Sequence, residues 1–360
     1  MAFDLRSLLS SKSPPLVGLD ISTTSVKLVE IAEAGRSNYR LVRYAIEPLP
    51  KGAVVDGNID NIEAVSEAVR RVWRKSGTRL RNVAMALPSA AVITKRIFLP
   101  EGMSEEVLEV QVETEANQYI PFALDEVSLD FQVLGPAQHS LGDVEVLIAA
   151  SRKEKVEDRV AAAQAAGLKP VVVDIEAYAT RAAVERLRKM LPNNGDNMIV
   201  AVFNIGANTT SISVLLNGQT IYEREQAFGG NQLTQDIARA FGLSLEDAEA
   251  KKRSLDLPEN YNRDVLQPFI ESTALEVTRA LQFFFTSTPY GRVDQILLAG
   301  GTAVIEGLAD VVASRAQTPT QVVNPFKGME IDDSIRDKQL RLDAPSLVTC
   351  TGLAMRRFTQ

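Results

Sequence analysis

Two short segments, about half a chain apart, constrain the fold of this sequence more than any other feature. The first spans residues 17–27 and the second spans residues 202–211. Each has an apolar run that predicts a strand, then a turn rich in small polar residues, then a second strand. A strand–turn–strand unit in each half of a chain indicates a duplicated α/β core with a ligand cleft between the halves.

The turns of both segments are suited to binding phosphate. In tight turns of small residues, backbone N–H groups converge on phosphate oxygens, and hydroxyl groups add further donors. The residues that supply these donors are Ser22, Thr23 and Thr24 in the first half, and Gly206, Ala207, Asn208 and Thr209 in the second. Either turn alone also occurs in ordinary hairpins, so the prediction depends on the two together.

A third segment, residues 296–303, predicts a strand, a Gly-Gly turn and the start of a helix. Gly300 and Gly301 offer bare backbone against which a nucleobase or ribose can lie. We expect Thr302 to cap the helix that follows. Gly230, in an earlier Gly-Gly pair, is assigned to the same nucleotide site.

Two charged residues complete the predicted contacts with nucleotide. Glu249 and Lys252 stand at positions i and i+3, so they share a helix face and can hydrogen-bond ribose hydroxyls. A surface ion pair explains this spacing equally well. Asp20 ends its strand facing the predicted phosphates, where a carboxylate suits a Mg²⁺ ion held through water. Lys27 either neutralises this site or is an exposed lysine of the second strand.

Composition excludes several classes of function. A net charge of −7 and a pI near 5.1 argue against a general binder of nucleic acid. The single cysteine, Cys350, cannot form an internal disulfide, and the single histidine, His139, rules out a histidine cluster. We find no signal peptide and no apolar run of about 18 residues, so we expect a cytoplasmic protein.

The order of the predicted elements indicates an inserted domain. Residues 89–168 predict a β-α-β-β-α unit, typical of a small α+β domain. The other predicted parts are a flexible segment at 1–15, a first domain at 16–88 with 169–192 and 344–360, and a second domain at 198–343.

The three turns, in this order and spacing, resemble the actin, sugar-kinase and heat-shock-chaperone ATPase superfamily. Residues 17–21, residues 117–122 (Asn-Gln-Tyr-Ile-Pro-Phe) and residues 279–284 are similar to the PilM family of type IV pilus assembly proteins. This resemblance implies an α/β actin-like fold, duplicated and ribonuclease H-like. The inserted unit then corresponds to the domain, called 1C, of the FtsA cell-division family.

The resemblance also implies ligands and partners. ATP or ADP, with Mg²⁺ near Asp20, is expected in the cleft between the domains. The expected protein partners are the cytoplasmic N-terminal peptide of PilN and the pilus assembly ATPases that serve twitching motility. The chain would then lie at the inner membrane through PilN alone, without binding nucleic acid, and self-association stays open. An apolar groove at strand 92–99 is our hypothesis for the PilN peptide.

One residue departs from the family pattern. The second phosphate turn usually opens with aspartate, and here it opens with Asn204, which brings no charge. Glu176 stands about where actin-like ATPases keep a residue that orients water, although an acid in a first helical turn needs no catalytic role. These two candidate catalytic residues predict a nucleotide-binding protein that is at most a slow ATPase.

Two alternatives compete with this interpretation. An FtsA-like cell-division or cytoskeletal ATPase is expected to continue into a linker and an amphipathic membrane helix, whereas this sequence stops at Gln360. A structural adaptor that binds no nucleotide is the second alternative, because Asn204 removes one expected carboxylate. Loss of ATP binding on Asp20→Ala or Gly300→Glu would distinguish a nucleotide-binding protein from this adaptor.

Overall fold

A computed structural model of the chain describes residues 14–35, 38–137 and 140–358. The segment 1–15, expected to be flexible, falls almost wholly outside these residues, and His139 also lies outside them. The chain forms two compact units: the first comprises the described residues up to Leu28 with Ala45–Glu176, and the second comprises Val29–Tyr44 and the residues from Ala177 onward.

Strands β2 and β3 supply residues to both units. The strands of the first unit are β1 (Val17–Ile21), β2 (Ser25–Glu33, its first residues), β3 (Tyr39–Pro48, its last residues), β4 (Val54–Val55), β5 (Asn58–Ile59), β6 (Asn82–Leu87), β7 (Val92–Pro100), β8 (Val127–Pro136), β9 (Asp143–Arg152) and β10 (Lys169–Ile175). Its helices are α1 (Ile62–Ser76), α2 (Glu105–Tyr119) and α3 (Lys153–Ala165).

The main sheet of the first unit has the order β10-β6-β1-β2-β3, with β10, β6 and β1 parallel. Parallel strands buried on both faces require apolar side chains, and all five residues of β1 are buried. Helix α1 covers this sheet with Val65, Val69 and Val72, the apolar face that the helical spacing predicts. Asn61 caps the start of α1 by accepting a hydrogen bond from the Ala64 N–H at 3.0 Å.

Residues 92–152 of the first unit form a second, antiparallel sheet of order β7-β9-β8. Helix α2 packs on one face of it, so that Leu108, Val112 and Ala116 share a core with residues such as Ile97 and Val146. The three strands and the first helix predicted within residues 89–168 are thus present in this unit, whereas the second helix, α3, contributes Ala162 and Ala163 to the core of the main sheet. The predicted boundaries at 89 and 168 stay a prediction.

The second unit is built on a sheet of order β13-β12-β11-β14-β15. Its strands, beyond parts of β2 and β3, are β11 (Ile199–Ile205), β12 (Thr210–Leu216), β13 (Gln219–Gln226), β14 (Gln295–Ala299), β15 (Thr320–Val322) and β16 (Glu330–Ile331), the last of which pairs with β3. Its helices are α4 (Glu176–Arg188), α5 (Asn231–Phe241), α6 (Leu245–Ser254), α7 (Gln267–Ser287), α8 (Leu308–Ala316), α9 (Asp337–Asp343) and α10 (Val348–Met355).

Local sequence determines two junctions of the second unit. Asn217 and Gly218 have φ of 50° and 78°, the positive values of the type I′ turn that their sequence predicts between β12 and β13. Helix α10 crosses α4 so closely that a side chain at Gly352 would overlap the Ala179 carbonyl group. Thr180 and Thr349 hydrogen-bond at 2.9 Å in this same contact. None of the described helices is long and apolar enough to cross a bilayer.

Candidate functional site

The turn between β1 and β2 is closed by one backbone hydrogen bond. The Ser22 N–H donates to the Ser25 carbonyl at 3.0 Å, and the Ser22 hydroxyl donates to the same oxygen at 2.9 Å. The N–H groups of Thr23 and Thr24, at the tip, have no acceptor among the residues that the structure describes. Free N–H groups at a tight turn are the donors that an anion binds.

Asp20 and Lys27 form an ion pair beside this turn. The Lys27 Nζ lies 2.9 Å from the Asp20 Oδ2 and 3.1 Å from the Ser22 Oγ. The two side chains are only 11% and 8% exposed, so little water screens the pair. Of the two roles open to Lys27, the structure shows the neutralising one.

Glu176 is the first residue of α4, directly after β10, as the sequence predicts. A buried cation lies near it in the first unit: Arg159 of α3 is 1% exposed and donates to the Gly57 carbonyl at 2.7 Å. Burial lowers the pKa of Arg159, and the charges of Glu176 and Asp20 oppose that shift. The sequence does not single out Arg159, because nothing in its local pattern separates it from an exposed helical arginine.

The turn between β11 and β12 repeats the geometry of the first turn. The Gly206 N–H donates to the Thr209 carbonyl at 2.9 Å, the bond that Ser22 makes to Ser25. At its tip, the N–H groups of Ala207 and Asn208 likewise find no acceptor within the described parts of the chain. The sequence predicts that both turns present free N–H groups, although the two turns share little sequence.

The carbonyl groups of the second turn point toward helix α5. The Gly206 oxygen accepts from the Gly230 N–H at 2.9 Å, and the Ala207 oxygen accepts from the Asn231 N–H at 2.8 Å. The Asn231 side chain also donates to the Asn208 side chain at 2.6 Å. These bonds fix the turn with its tip N–H groups directed away from α5.

Gly300 follows β14 and packs against the second turn. Its φ is 90°, and a side chain there would overlap the Ile205 carbonyl and come within 2.9 Å of the Asn204 Oδ1. Gly301, in contrast, has no positive φ and nothing within 4 Å of the position a side chain would take. Gly300 must therefore be glycine, because both its φ and its neighbours exclude a side chain. Gly301 is the residue whose bare backbone faces open space.

The expectation that Thr302 caps a helix is wrong. Residues Gly301–Val304 form a 3-10 turn, and α8 begins only at Leu308, after Gly307. The Thr302 hydroxyl instead donates to the Gly206 carbonyl at 3.0 Å, joining the Gly-Gly turn to the turn between β11 and β12. The hydroxyl of Thr302 therefore makes a tertiary contact. The residues next to Thr302 in the sequence do not predict this contact.

Glu249 and Lys252 form an ion pair at 2.5 Å on α6. Thr234 of α5 joins them, because its hydroxyl accepts from Lys252 and donates to Glu249, each at 2.7 Å. Burial opposes ionisation of Glu249, but the hydrogen bonds from Lys252 and Thr234 outweigh it and hold its pKa below the ordinary value. The ion pair is present, and the contact with ribose stays a prediction.

The residues of the first turn fit a hydrated Mg²⁺ better than a caged one. Among the described residues, no group of three or more His, Cys, Asp or Glu side chains is placed to hold a metal ion. Mg²⁺ in nucleotide sites keeps several waters and binds one or two carboxylates and the phosphates. Asp20 is the carboxylate that would orient those waters, and the ion would screen the phosphate charge.

Comparisons with known proteins cover nearly the whole chain. The family model described as "Type IV pilus assembly protein PilM" matches residues 18–358. The solved structure titled "PilM-PilN type IV pilus biogenesis complex" is 30% identical, with a TM-score of 0.80 over 96% of this chain and 99% of that one.

More distant relatives agree on the fold. The cell division protein FtsA of Bacillus subtilis is 23% identical over 66% of this chain, and the match spans only 57% of FtsA. The structure of MreB5 of Spiroplasma citri bound to ADP is 14% identical, with a TM-score of 0.50 over 97% and 100% of the two chains. The chain thus has the α/β actin-like fold that its sequence predicts.

Proposed function

Because the chain belongs to the PilM family of type IV pilus assembly proteins, we propose that it is a component of a type IV pilus assembly apparatus that binds nucleotide and the N-terminal peptide of PilN. The observation that carries this proposal is the match along nearly the whole chain to the PilM of a PilM–PilN complex. The inner membrane location, contact with pilus assembly ATPases and self-association follow from the same proposal.

Nucleotide binding is supported by the phosphate turns of each unit. Thr23 and Thr24 in the first unit, and Ala207 and Asn208 in the second, present N–H groups without protein acceptors among the described residues. Asp20 would hold hydrated Mg²⁺, and Gly301 would lie against the nucleoside. With Asn204 in place of a carboxylate, we propose Glu176 as the residue that orients water, with slow hydrolysis at most.

Peptide binding is proposed at strand β7. This strand lies at the edge of the sheet of order β7-β9-β8, so one of its backbone edges is open to an added strand. The exposed fraction of Phe98 is 54%, which offers a large apolar side chain beside that edge. The strand also lies in the inserted unit that sequence analysis connects with the peptide.

Glycine substitutions test nucleotide binding without disturbing the fold. Gly301→Ala places a methyl group in open space, where the nucleoside is proposed to lie. Such a clash costs about 1–3 kcal/mol, so we expect about tenfold weaker binding of ATP in calorimetric titration. Gly291→Ala is the matched control, because it too has nothing within 4 Å and no positive φ. Equal ATP affinity of both variants would show that the nucleoside does not lie against Gly301, and the absence of ATP binding by the unsubstituted chain would favour the adaptor.

Paired strand substitutions test the peptide site. Phe98→Ser on β7 should weaken binding of a synthetic PilN N-terminal peptide about tenfold, since burial of a phenylalanine contributes about 1.5–3 kcal/mol. The control is Val133→Ser, an apolar residue 43% exposed on the other edge strand, β8. If Phe98→Ser leaves the peptide affinity at the Val133→Ser value, the peptide binds elsewhere.

A further inference from the structure

Negative charge is concentrated in one stretch of the chain. Residues 97–151 contain eleven Asp and Glu and no Lys or Arg, whereas the rest of the chain carries all 39 Lys and Arg and is net positive. The stretch includes α2 and most of the sheet on which α2 packs. This asymmetry exceeds what solubility requires, since the acids are not spread over the surface.

Helix α2 presents part of this charge together with exposed apolar side chains. Its buried residues lie on one side, with Leu108, Val112 and Ala116 at four-residue spacing. On the side away from them, Val107 and Val110 are 53% and 64% exposed. We call the exposed surface formed by Glu106, Val107, Glu109, Val110 and Glu113 the acidic–valine face.

Glu109, Glu113 and the two exposed valines of the acidic–valine face do not help α2 to fold. Glu109 has like-charged neighbours at i−3 and i+4, Glu106 and Glu113, and such pairs destabilise a helix by about 0.2–0.5 kcal/mol each. None of these three glutamates forms an ion pair or side-chain hydrogen bond with the residues described. The helix dipole favours acids in the first turn only, which explains Glu105 and Glu106. Exposed β-branched valines also lower helix propensity.

We propose that the acidic–valine face docks a basic amphipathic segment of a partner protein, a helix rich in Lys or Arg with apolar side chains on one side. Charge complementarity selects this partner, because a basic segment relieves the repulsion among the glutamates. Val107 and Val110, at i and i+3, give apolar side chains of such a helix a contact to bury. The face is separate from the proposed PilN site, since β7 lies against the opposite, buried side of α2.

The probe is a synthetic amphipathic helix of about four turns made of Leu and Lys, titrated against the full chain by fluorescence anisotropy. A scrambled Leu/Lys peptide and a Leu/Glu peptide are the control probes. We expect the amphipathic basic peptide to bind best, with an affinity that falls as salt rises.

Charge variants localise this binding. The variant Glu106→Gln/Glu109→Gln/Glu113→Gln should weaken binding of the basic peptide about tenfold or more. The control Glu246→Gln/Glu259→Gln/Glu306→Gln removes three exposed acids of the second unit that form no ion pair with any described residue. It changes net charge equally, so less than about a twofold loss of affinity is expected. Equal losses in the two variants would overturn the proposal, because they would show long-range attraction without a docking face.

Apolar variants test the other half of the face. Val107→Ser/Val110→Ser should weaken binding of the basic peptide about fivefold and leave its salt dependence unchanged. The control is Leu342→Ser, at an exposed apolar residue of α9, which should not weaken this binding. PilN-peptide affinity should stay at the wild-type value in every α2 variant, which separates failure of this proposal from failure of the proposed function. No effect of the valine variant, or self-association of the chain through this face instead of peptide binding, would overturn it.

Discussion

At the scale of single residues, the Asp20–Lys27 pair decides the electrostatics of the turn between β1 and β2. The Asp20 carboxylate and the Lys27 ammonium group lie 2.9 Å apart and are almost fully buried. Removing one charge of such a pair leaves the other desolvated without compensation. The turn is thus neutral by itself, and its remaining N–H groups are available to an anion.

Substitution of Lys27 tests this balance. Lys27→Met should lower the free energy of unfolding by about 3 kcal/mol, because it leaves the Asp20 charge buried. Lys251→Met is the matched control: its partner Asp256 lies at 2.8 Å, but the two side chains are 39% and 79% exposed, so a loss below about 1 kcal/mol is expected. Urea denaturation measures both. Similar losses in the two variants would contradict a strongly coupled pair at Asp20.

At the scale of elements, sequence predicts most of this structure where the signal is local. The buried strand β1, the face of α1 and the type I′ turn at Asn217-Gly218 all follow from short-range patterns. The failure at Thr302 has a physical reason: its hydroxyl bonds to Gly206, a partner 96 residues away. The hydrogen bond from Arg159 to Gly57 is also not predictable from local sequence, because segments distant along the chain bury this arginine.

The crossing of α4 and α10 gives a prediction at this scale. Gly352→Ala should destabilise the chain by about 3 kcal/mol or more, because the added methyl group would overlap the Ala179 carbonyl where the buried helix α10 packs on the buried side of α4. Gly291→Ala, where space is open, should leave the urea midpoint unchanged. A Gly352→Ala protein with the wild-type midpoint would show that the two helices separate at little cost.

At the scale of the whole molecule, the chain is proposed to bind both a pilus partner and a nucleotide. Family membership and a structural match over 96% of this chain support the partner, while the two repeated turns support the nucleotide. If both ligands bind, a change in peptide affinity caused by nucleotide must be matched by an equal change in nucleotide affinity caused by peptide. The sequence predicts the two ligands. It does not predict how strongly one ligand changes the affinity for the other, because that depends on how the conformation differs with and without each ligand.

The most direct test is calorimetric titration of the full chain with a synthetic PilN N-terminal peptide, in the absence and presence of ATP and Mg²⁺. We expect micromolar binding of both ligands and a peptide affinity that shifts when nucleotide is bound. Binding of the peptide without any binding of nucleotide would indicate the structural adaptor. A folded chain that does not bind the PilN peptide under either condition would contradict the proposed function.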